Sequence, residues 1–519
     1  MTADPLAALR EHLHQLADLQ AICGLLYWDQ ETMMPPAGAY ARADHVATLD
    51  RLLRERLTAP EAGEWLERLR ARGIGERHED NGGPPAGGPD VAADRDEALV
   101  RIARRDREKA LRVPAELRSE LAHARSIGRH VWARARAADD FAAFLPQLRE
   151  LVTLTRRYVD CFGELEHPYD ALLDDYEPGM RTAQVRAVFA QLREGLVPLI
   201  AAIDSARERG DAPEPLAGPF PVDAQRRLVG GVLAEVGFDP SQWRLDESEH
   251  PFSNTVALSD QRITVRYGES SLEALFSGLH EFGHSLYESQ VDPALARTPL
   301  CSGVSMSLHE SQSRLWENMV GRGRPCAVFL LPHLREAFPG RFDDLDADDL
   351  YRSVNVVRRS LIRVQADEVT YALHVILRFE LELDLFEGTI EPDELADQWR
   401  ERAASTLGIA VPDDARGVLQ DIHWSMGAFG YFPTYALGNL IAAQLWALIR
   451  TELPDLDRSL AAGDFAPLRA WLARRLHRYG RMFTPAETLR LATGGELDAQ
   501  PFLDYLWAKH ADVHGVRRV

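Results

Sequence analysis

His280, Glu281, Phe282, Gly283 and His284 spell H-E-x-x-H. Residues four apart share one face of a helix, so the two imidazoles can hold one metal ion. Glu281 then lies beside that ion, placed to take a proton from water. This is the arrangement of zinc-dependent peptide hydrolysis. A catalytic zinc has three protein ligands and an open position for water, so a third ligand must come from elsewhere. The longer pattern H-E-x-x-H-x-x-G-x-x-H is excluded, because Tyr287 stands at its glycine position and Gln290 at its last histidine position. The other solution is a glutamate from a second helix. Glu310 fits it, 26 positions after His284 in the stretch Leu308–Arg314. Its rivals are Glu288, Glu317 and His309. Glu288 is expected to face away on the first helix. Glu317 lies two turns beyond Glu310 on nearly the same face, so spacing favours Glu310 without rejecting Glu317.

Three further groups have chemistry to offer. Arg363 and Asp367 are four apart and can pair on a helix face. Such a pair can be purely structural, or Asp367 can aim Arg363 into a cleft, where a guanidinium fork matches a peptide's terminal carboxylate. His423, in Gly417–Trp424, reads either as a hydrogen-bonded core histidine or as a donor to a carboxylate or developing oxyanion. Tyr431 and Tyr435 follow in a Gly/Pro-crowded segment expected to form a loop entering a helix. Either hydroxyl can donate to a tetrahedral intermediate, and either ring can equally be a satisfied core aromatic.

The pentad needs a helix with a buried stripe. Leu272, Leu275, Phe276, Leu279 and Leu286 recur at that spacing, and Ser270 with Glu273 forms a possible capping box. Gly278 and Gly283 each cost such a helix about 1 kcal/mol, which suggests room for substrate or a packed neighbour. Just before it, Gln261–Tyr267 alternates as a strand does. That strand is either an ordinary hairpin or a cleft edge to which an extended peptide adds. A long helix is expected from Tyr351 to Phe386. Most other segments also read as helix. Residues 80–90 read as a flexible Gly/Pro loop, and Asp211–Pro221 as a second break. Neither break separates independent domains. The expectation is one peptidase body over 1–519, with wall helices in about 1–245 and the chemistry in about 246–519.

Composition excludes several classes. A net charge of −21 argues against a nucleic-acid binder. No run of 18 uncharged apolar residues occurs, so no membrane-spanning helix is expected. Met1–Leu19 reads as an amphipathic helix and not as a signal peptide. Cys23, Cys161, Cys301 and Cys326 are widely spaced and read as reduced thiols, which points to the cytoplasm.

Taken together, the blocks are far more specific than the pentad. They are Asp260-x-Arg262-x-Thr264, the pentad, His309-Glu310-Ser311, Ile362-Arg363-x-x-Ala366-Asp367 and Gly417-x-x-Gln420-Asp421-x-His423-Trp424. Tyr27–Pro35, Pro168–Leu173 and His250-Pro251-Phe252 support them. In this order the chain resembles the Taq-type thermostable metallocarboxypeptidases over nearly its whole length. The resemblance implies a mainly α, two-lobed, neurolysin-like body with a deep groove and a small β-sheet beside the site. It implies a zinc or cobalt ion, a homodimer, and peptide substrates with a free C-terminus. It raises Glu310 above Glu317 as third ligand. It assigns substrate binding to Arg363 and His423, and the reacting centre to a tyrosine best matched by Tyr435. The expected activity is removal of C-terminal residues with Glu281 as general base. The alternatives are an oligopeptidase or dipeptidase using the same groove, and a non-catalytic peptide binder with a structural metal.

Overall fold

The computed structural model describes residues 4–76 and 90–518; the expected Gly/Pro loop therefore lies, but for Asp90, outside the described residues. Helices build most of the molecule. The first, Pro5–Thr32, buries Leu9, Leu13 and Leu16 on one face, the stripe expected of its sequence. Further on, Ala115–Ala138 and Phe141–Asp160 form an antiparallel pair. Asp139 turns the chain in the left-handed region at φ 54°, and the Asp140 carboxylate caps the second helix by accepting from the Ala143 N–H at 3.0 Å.

The apolar core is one large cluster drawing on residues from Val113 to Val516. A second cluster joins Leu9, Leu66 and Leu99 of the N-terminal helices to Val291, Leu295 and Tyr479. Burying each Leu or Phe contributes about 1.5–3 kcal/mol, so the N-terminal helices are anchored onto the part of the chain that carries the pentad. Among the described residues no helix is long and apolar enough to cross a membrane.

The only sheet among the described residues has strands β1 (Trp243–Glu247), β2 (Ser253–Ala257) and β3 (Asp260–Val265), in the order β1-β3-β2. β3 runs parallel to β1, with Trp243 beside Gln261, and antiparallel to β2, with Ser253 beside Ile263. The segment expected to offer a free edge is therefore the central strand, hydrogen-bonded on both sides, and an extended peptide cannot add to it. The free edges belong to β1 and β2, which are short and rich in polar residues and so lacked a clear alternating pattern.

The pentad helix spans Glu273–Ser289 and rests on this sheet. Leu275, Phe276, Leu279, Phe282 and Leu286 are buried. The expected Ser270–Glu273 capping box does not form. The N-cap is Leu272, and the Glu273 N–H reaches Ser271 Oγ at 3.4 Å instead. The next helix, Met306–Arg314, packs against the pentad helix on one side and against Pro433–Glu452 on the other. Two glycines permit these approaches. A Cβ at Gly283 would lie 2.5 Å from the Gln312 carbonyl oxygen, and one at Gly438 would lie 2.7 Å from Glu310 Cβ. Gly283 makes room for a packed helix.

The long helix expected from Tyr351 to Phe386 is broken. Ala347–Ser353 ends it early, a single 3-10 turn covers Arg363–Gln365, and helix resumes at Tyr371–Glu387. Asp367 causes part of the break. Its carboxylate accepts from the N–H groups of Val369, Thr370 and Arg358 and from Thr370 Oγ1, satisfying backbone that a continuous helix would have paired.

Candidate metal centre and peptide groove

His280 and His284 project from one face of the pentad helix, their ring centroids 4.9 Å apart. Glu310 approaches from the neighbouring helix. Its Oε2 lies 3.9 Å from His280 Nε2 and 3.5 Å from His284 Nε2. A tetrahedral ion with bonds of about 2.0–2.2 Å needs donors roughly 3.3–3.6 Å apart, so small side-chain shifts suffice.

The atoms not offered to an ion are bound elsewhere. His280 Nδ1 lies 2.9 Å from Glu317 Oε2. Arg314 Nε donates to Glu310 Oε1 at 2.7 Å, leaving Oε2 bare. His284 Nδ1 lies 2.5 Å from His309 Nδ1, and His309 Nε2 lies 2.9 Å from Glu288 Oε1. Of the sequence rivals of Glu310, Glu317 and His309 therefore sit one hydrogen bond behind the two imidazoles, and Glu288 sits two behind, through His309. The two histidines and Glu310 form a donor set with an open side, which suits a divalent metal.

Electrostatics separate the carboxylates. Burial pushes Glu310 up, but Arg314 and the two imidazoles outweigh it and hold the group well below the usual range. Glu317 is held at about 2 against burial by His280, Arg314 and Arg322. Glu281 goes the other way. Burial pushes it up to about 7, Glu310 and Glu317 add to the rise, and His280 opposes it. A carboxylate poised near neutrality suits proton transfer.

Two cavities meet here, of about 670 Å³ and about 770 Å³. Pro251, His280, Glu281, Glu310 and Tyr435 line both. The first also holds Arg363. The second also holds Phe252 and Ser253, so the edge facing the groove is the start of β2.

Arg363 is not paired with Asp367, because the break in the helix separates them. Its Nε and Nη2 donate to Asp421 Oδ1 at 3.0 and 2.9 Å, and Nη1 donates to Tyr371 Oη at 2.9 Å. Asp421 Oδ2 accepts from Arg378 Nε at 2.6 Å. A guanidinium has five N–H donors; three are used here, which leaves two. Asp421, Tyr371 and Tyr435 outweigh burial and keep Arg363 charged.

His423 begins the 3-10 turn His423–Met426 and lines neither cavity. Its Nε2 lies 3.1 Å from Tyr435 Oη, and Nδ1 is buried without a partner among the described residues. Burial, reinforced by Arg363, lowers it to about 3, so the ring is neutral. Tyr435 lines both cavities, whereas Tyr431 lines only the second. Burial raises the Tyr435 pKa, so its hydroxyl keeps a proton to donate.

Two sets of supporting groups hold these segments, and the first, Glu382, escaped the reading of the sequence. Glu382 is fully buried and ties three segments together. It accepts from Tyr169 Oη at 2.5 Å, Trp424 Nε1 at 2.7 Å and the Gly430 N–H at 2.9 Å. It thereby fixes the turn of His423 and the loop of Tyr431. It carries little signal in the sequence, because Glu382 alternates with Glu380 and Asp384 among apolar neighbours and looks like any charge of a half-exposed helix. Asp260 and Arg262 form a bidentate pair at 2.9 and 3.0 Å, and the guanidinium lies 4.3 Å from the Trp28 ring. Thr264 Oγ1 accepts from the Phe252 N–H at 2.9 Å. The D-x-R-x-T block thus joins the first helix and the His250-Pro251-Phe252 segment to the sheet under the pentad.

The chain is similar to known proteins over nearly its whole length. The family model described as carboxypeptidase Taq (M32) metallopeptidase matches residues 8–510. Thermostable carboxypeptidase 1 of Thermus thermophilus is 40% identical over 522 residues, covering 98% of each chain. Carboxypeptidase 1 of Bacillus subtilis is 34% identical, covering 97% of each. The crystal structure of the M32 carboxypeptidase from Deinococcus radiodurans R1 superposes with a TM-score of 0.91 at 38% identity, covering 99% of this chain and all of that one. The chain belongs to the carboxypeptidase Taq (M32) family, and with it to the metal-dependent carboxypeptidases.

Proposed function

We propose that this carboxypeptidase holds a zinc ion through His280, His284 and Glu310 and uses Glu281 as general base. Cobalt accepts the same nitrogen and oxygen donors. An ion held there supplies Lewis-acid chemistry, acidifying water and polarising a carbonyl. Glu281 takes the proton of the attacking water and returns it to the nitrogen of the departing residue. Tyr435 donates to the oxygen on which charge develops, in preference to Tyr431, which lines only one of the two cavities. Arg363 turns its two free N–H donors to the peptide's terminal carboxylate. His423, one hydrogen bond behind Tyr435, joins Arg363 there when Tyr435 leaves it for the reacting carbonyl.

The observation that carries this reading is a single cavity lined by Arg363 together with His280, Glu281 and Glu310. A fixed cation beside the cutting centre sets the cut relative to a free carboxylate, which an internal oligopeptidase or a dipeptidase does not need. Digestion of a free peptide followed by mass spectrometry tests it. The expected products are a ladder shortening from the C-terminus; internal fragments would contradict the reading.

We read residues 1–519 as one peptidase body, its part up to about 245 walling the groove and the remainder carrying the chemistry. It works as a cytoplasmic homodimer without nucleic-acid or membrane partners. The four free cysteines support the compartment and the net charge the lack of a nucleic acid. The resemblance to the family supports the dimer, which sedimentation velocity checks.

A further inference from the structure

The two metal-facing histidines are oriented by different means. His280 Nδ1 meets the Glu317 carboxylate directly at 2.9 Å. A carboxylate only accepts, so Nδ1 carries the ring proton and Nε2 is bare. His284 has no carboxylate at its Nδ1. It meets a second imidazole, His309, nitrogen to nitrogen at 2.5 Å.

Two imidazole nitrogens bond only if one carries a proton and the other does not. The far side of His309 decides which. Its Nε2 lies 2.9 Å from Glu288 Oε1, so Nε2 holds the proton of a neutral His309 and Nδ1 is the acceptor. His284 Nδ1 is then the donor, and its Nε2 keeps the lone pair that points toward Glu310. Glu288 is itself fixed, since the same Oε1 accepts from the Gly303 N–H at 2.8 Å. The fit at Gly303 is close. A Cβ there would lie 2.7 Å from His309 Cδ2 and 3.3 Å from Glu288 Oε1, so the backbone is pressed against the pair. Both nitrogens of His309 are engaged, which leaves it no lone pair for a metal.

We propose that Glu288, acting through His309, fixes the ring proton of His284 on Nδ1, making His309 and Glu288 positioning residues for a metal ligand. This rests on the reading of His280, His284 and Glu310 as the metal-holding set. Without His309 the His284 ring can rotate or take the other tautomer and present an N–H where the ion must bind. Outer-sphere partners of this kind are worth about 10–100-fold in metal affinity.

The test is zinc affinity of the full chain stripped by a chelator, measured by competition with a chromophoric chelator. Thermal unfolding checks that each variant is folded. His309→Phe keeps the ring volume and removes both nitrogens; it is expected to bind zinc about 10–100-fold more weakly. His309→Asn keeps an oxygen near the position of Nδ1 and is expected to recover most of that loss, which a purely packing role would not allow. Should the phenylalanine variant fail to fold, Glu288→Gln replaces it. Its amide can offer His309 a donor as readily as an acceptor, so several-fold weaker binding is expected. Unchanged affinity in His309→Phe, or in Glu288→Gln when it stands in, overturns the proposal, as does an asparagine variant no better than phenylalanine. Failure of the underlying reading looks different. In that case His284→Ala would bind zinc as tightly as the wild-type chain.

Discussion

Glu281 and Glu310 are both buried glutamates within one site, yet their surroundings drive them to opposite protonation behaviour. Arg314 and two imidazoles keep Glu310 ionised, as a ligand must be, while burial lifts Glu281 to about 7. Replacing Glu281 with Gln preserves volume and leaves the three ligands in place. Zinc content measured by mass spectrometry should stay near one per chain while kcat falls about 10²–10⁴-fold. Near-normal turnover would remove Glu281 from the mechanism. At this scale the sequence was informative about atoms that sit close along the chain. The spacing of His280 and His284 put both imidazoles on one helix face, their ring centroids 4.9 Å apart. Glu310 was separable from Glu317 only through the H-E-S block, because both residues lie near the site. The structure distinguishes them by whether they reach the imidazole Nε2 or Nδ1 side.

The helices that carry these residues meet at small side chains. Gly283→Ala places a methyl group 2.5 Å from the Gln312 carbonyl and forces the pentad helix away from Met306–Arg314. Overpacking of this kind costs about 1–3 kcal/mol. The expected result is a lower Tm together with weaker zinc binding, because the two helices supply different ligands; unchanged zinc affinity would show that Glu310 follows the shift. Local pattern identified the pentad helix and the strand before it, since both bury a periodic stripe. It failed between Tyr351 and Phe386, where apolar residues continue at helical spacing across a real break. That break is set by Asp367 capping nearby backbone and by Arg363 reaching Asp421, 58 positions away. Period alone does not encode such a partner. The same holds for β3, whose neighbours are strands too short and polar to announce themselves.

Across the molecule, buried carboxyl groups set the pH range of stability. Burial pushes Glu177 and Glu382 up to about 7. Their folded pKa exceeds the unfolded value of about 4.3, so their contribution is complete below that value and is lost as pH rises through about 7. Asp421 has the opposite sign. Arg363 and Arg378 outweigh burial and hold it well below its unfolded value of about 3.9, so its contribution is present above that value and lost on further acidification. Calorimetry should find the highest Tm at mildly acidic pH, with a shallower alkaline fall in Glu382→Gln than in the wild-type chain. An identical fall in both would show that Glu382 ionises without cost. The overall helical body and its groove were expected from the resemblance; the joining of its segments through Glu382 and through Arg262 on Trp28 depends on contacts between distant positions.

The central claim is that the groove counts from a free carboxylate because Arg363 shares a cavity with the metal-holding group. The most direct measurement is kcat/KM on one peptide as free acid and as C-terminal amide, for the wild-type chain and for Arg363→Gln. Hydrogen bonds to charged groups contribute about 1.5–3 kcal/mol, so the wild-type chain should prefer the acid by about 10–150-fold or more. The variant should lose that preference through slower cleavage of the acid, with cleavage of the amide little changed. Equal rates on acid and amide in the wild-type chain, or a preference that survives in the variant, would contradict the account.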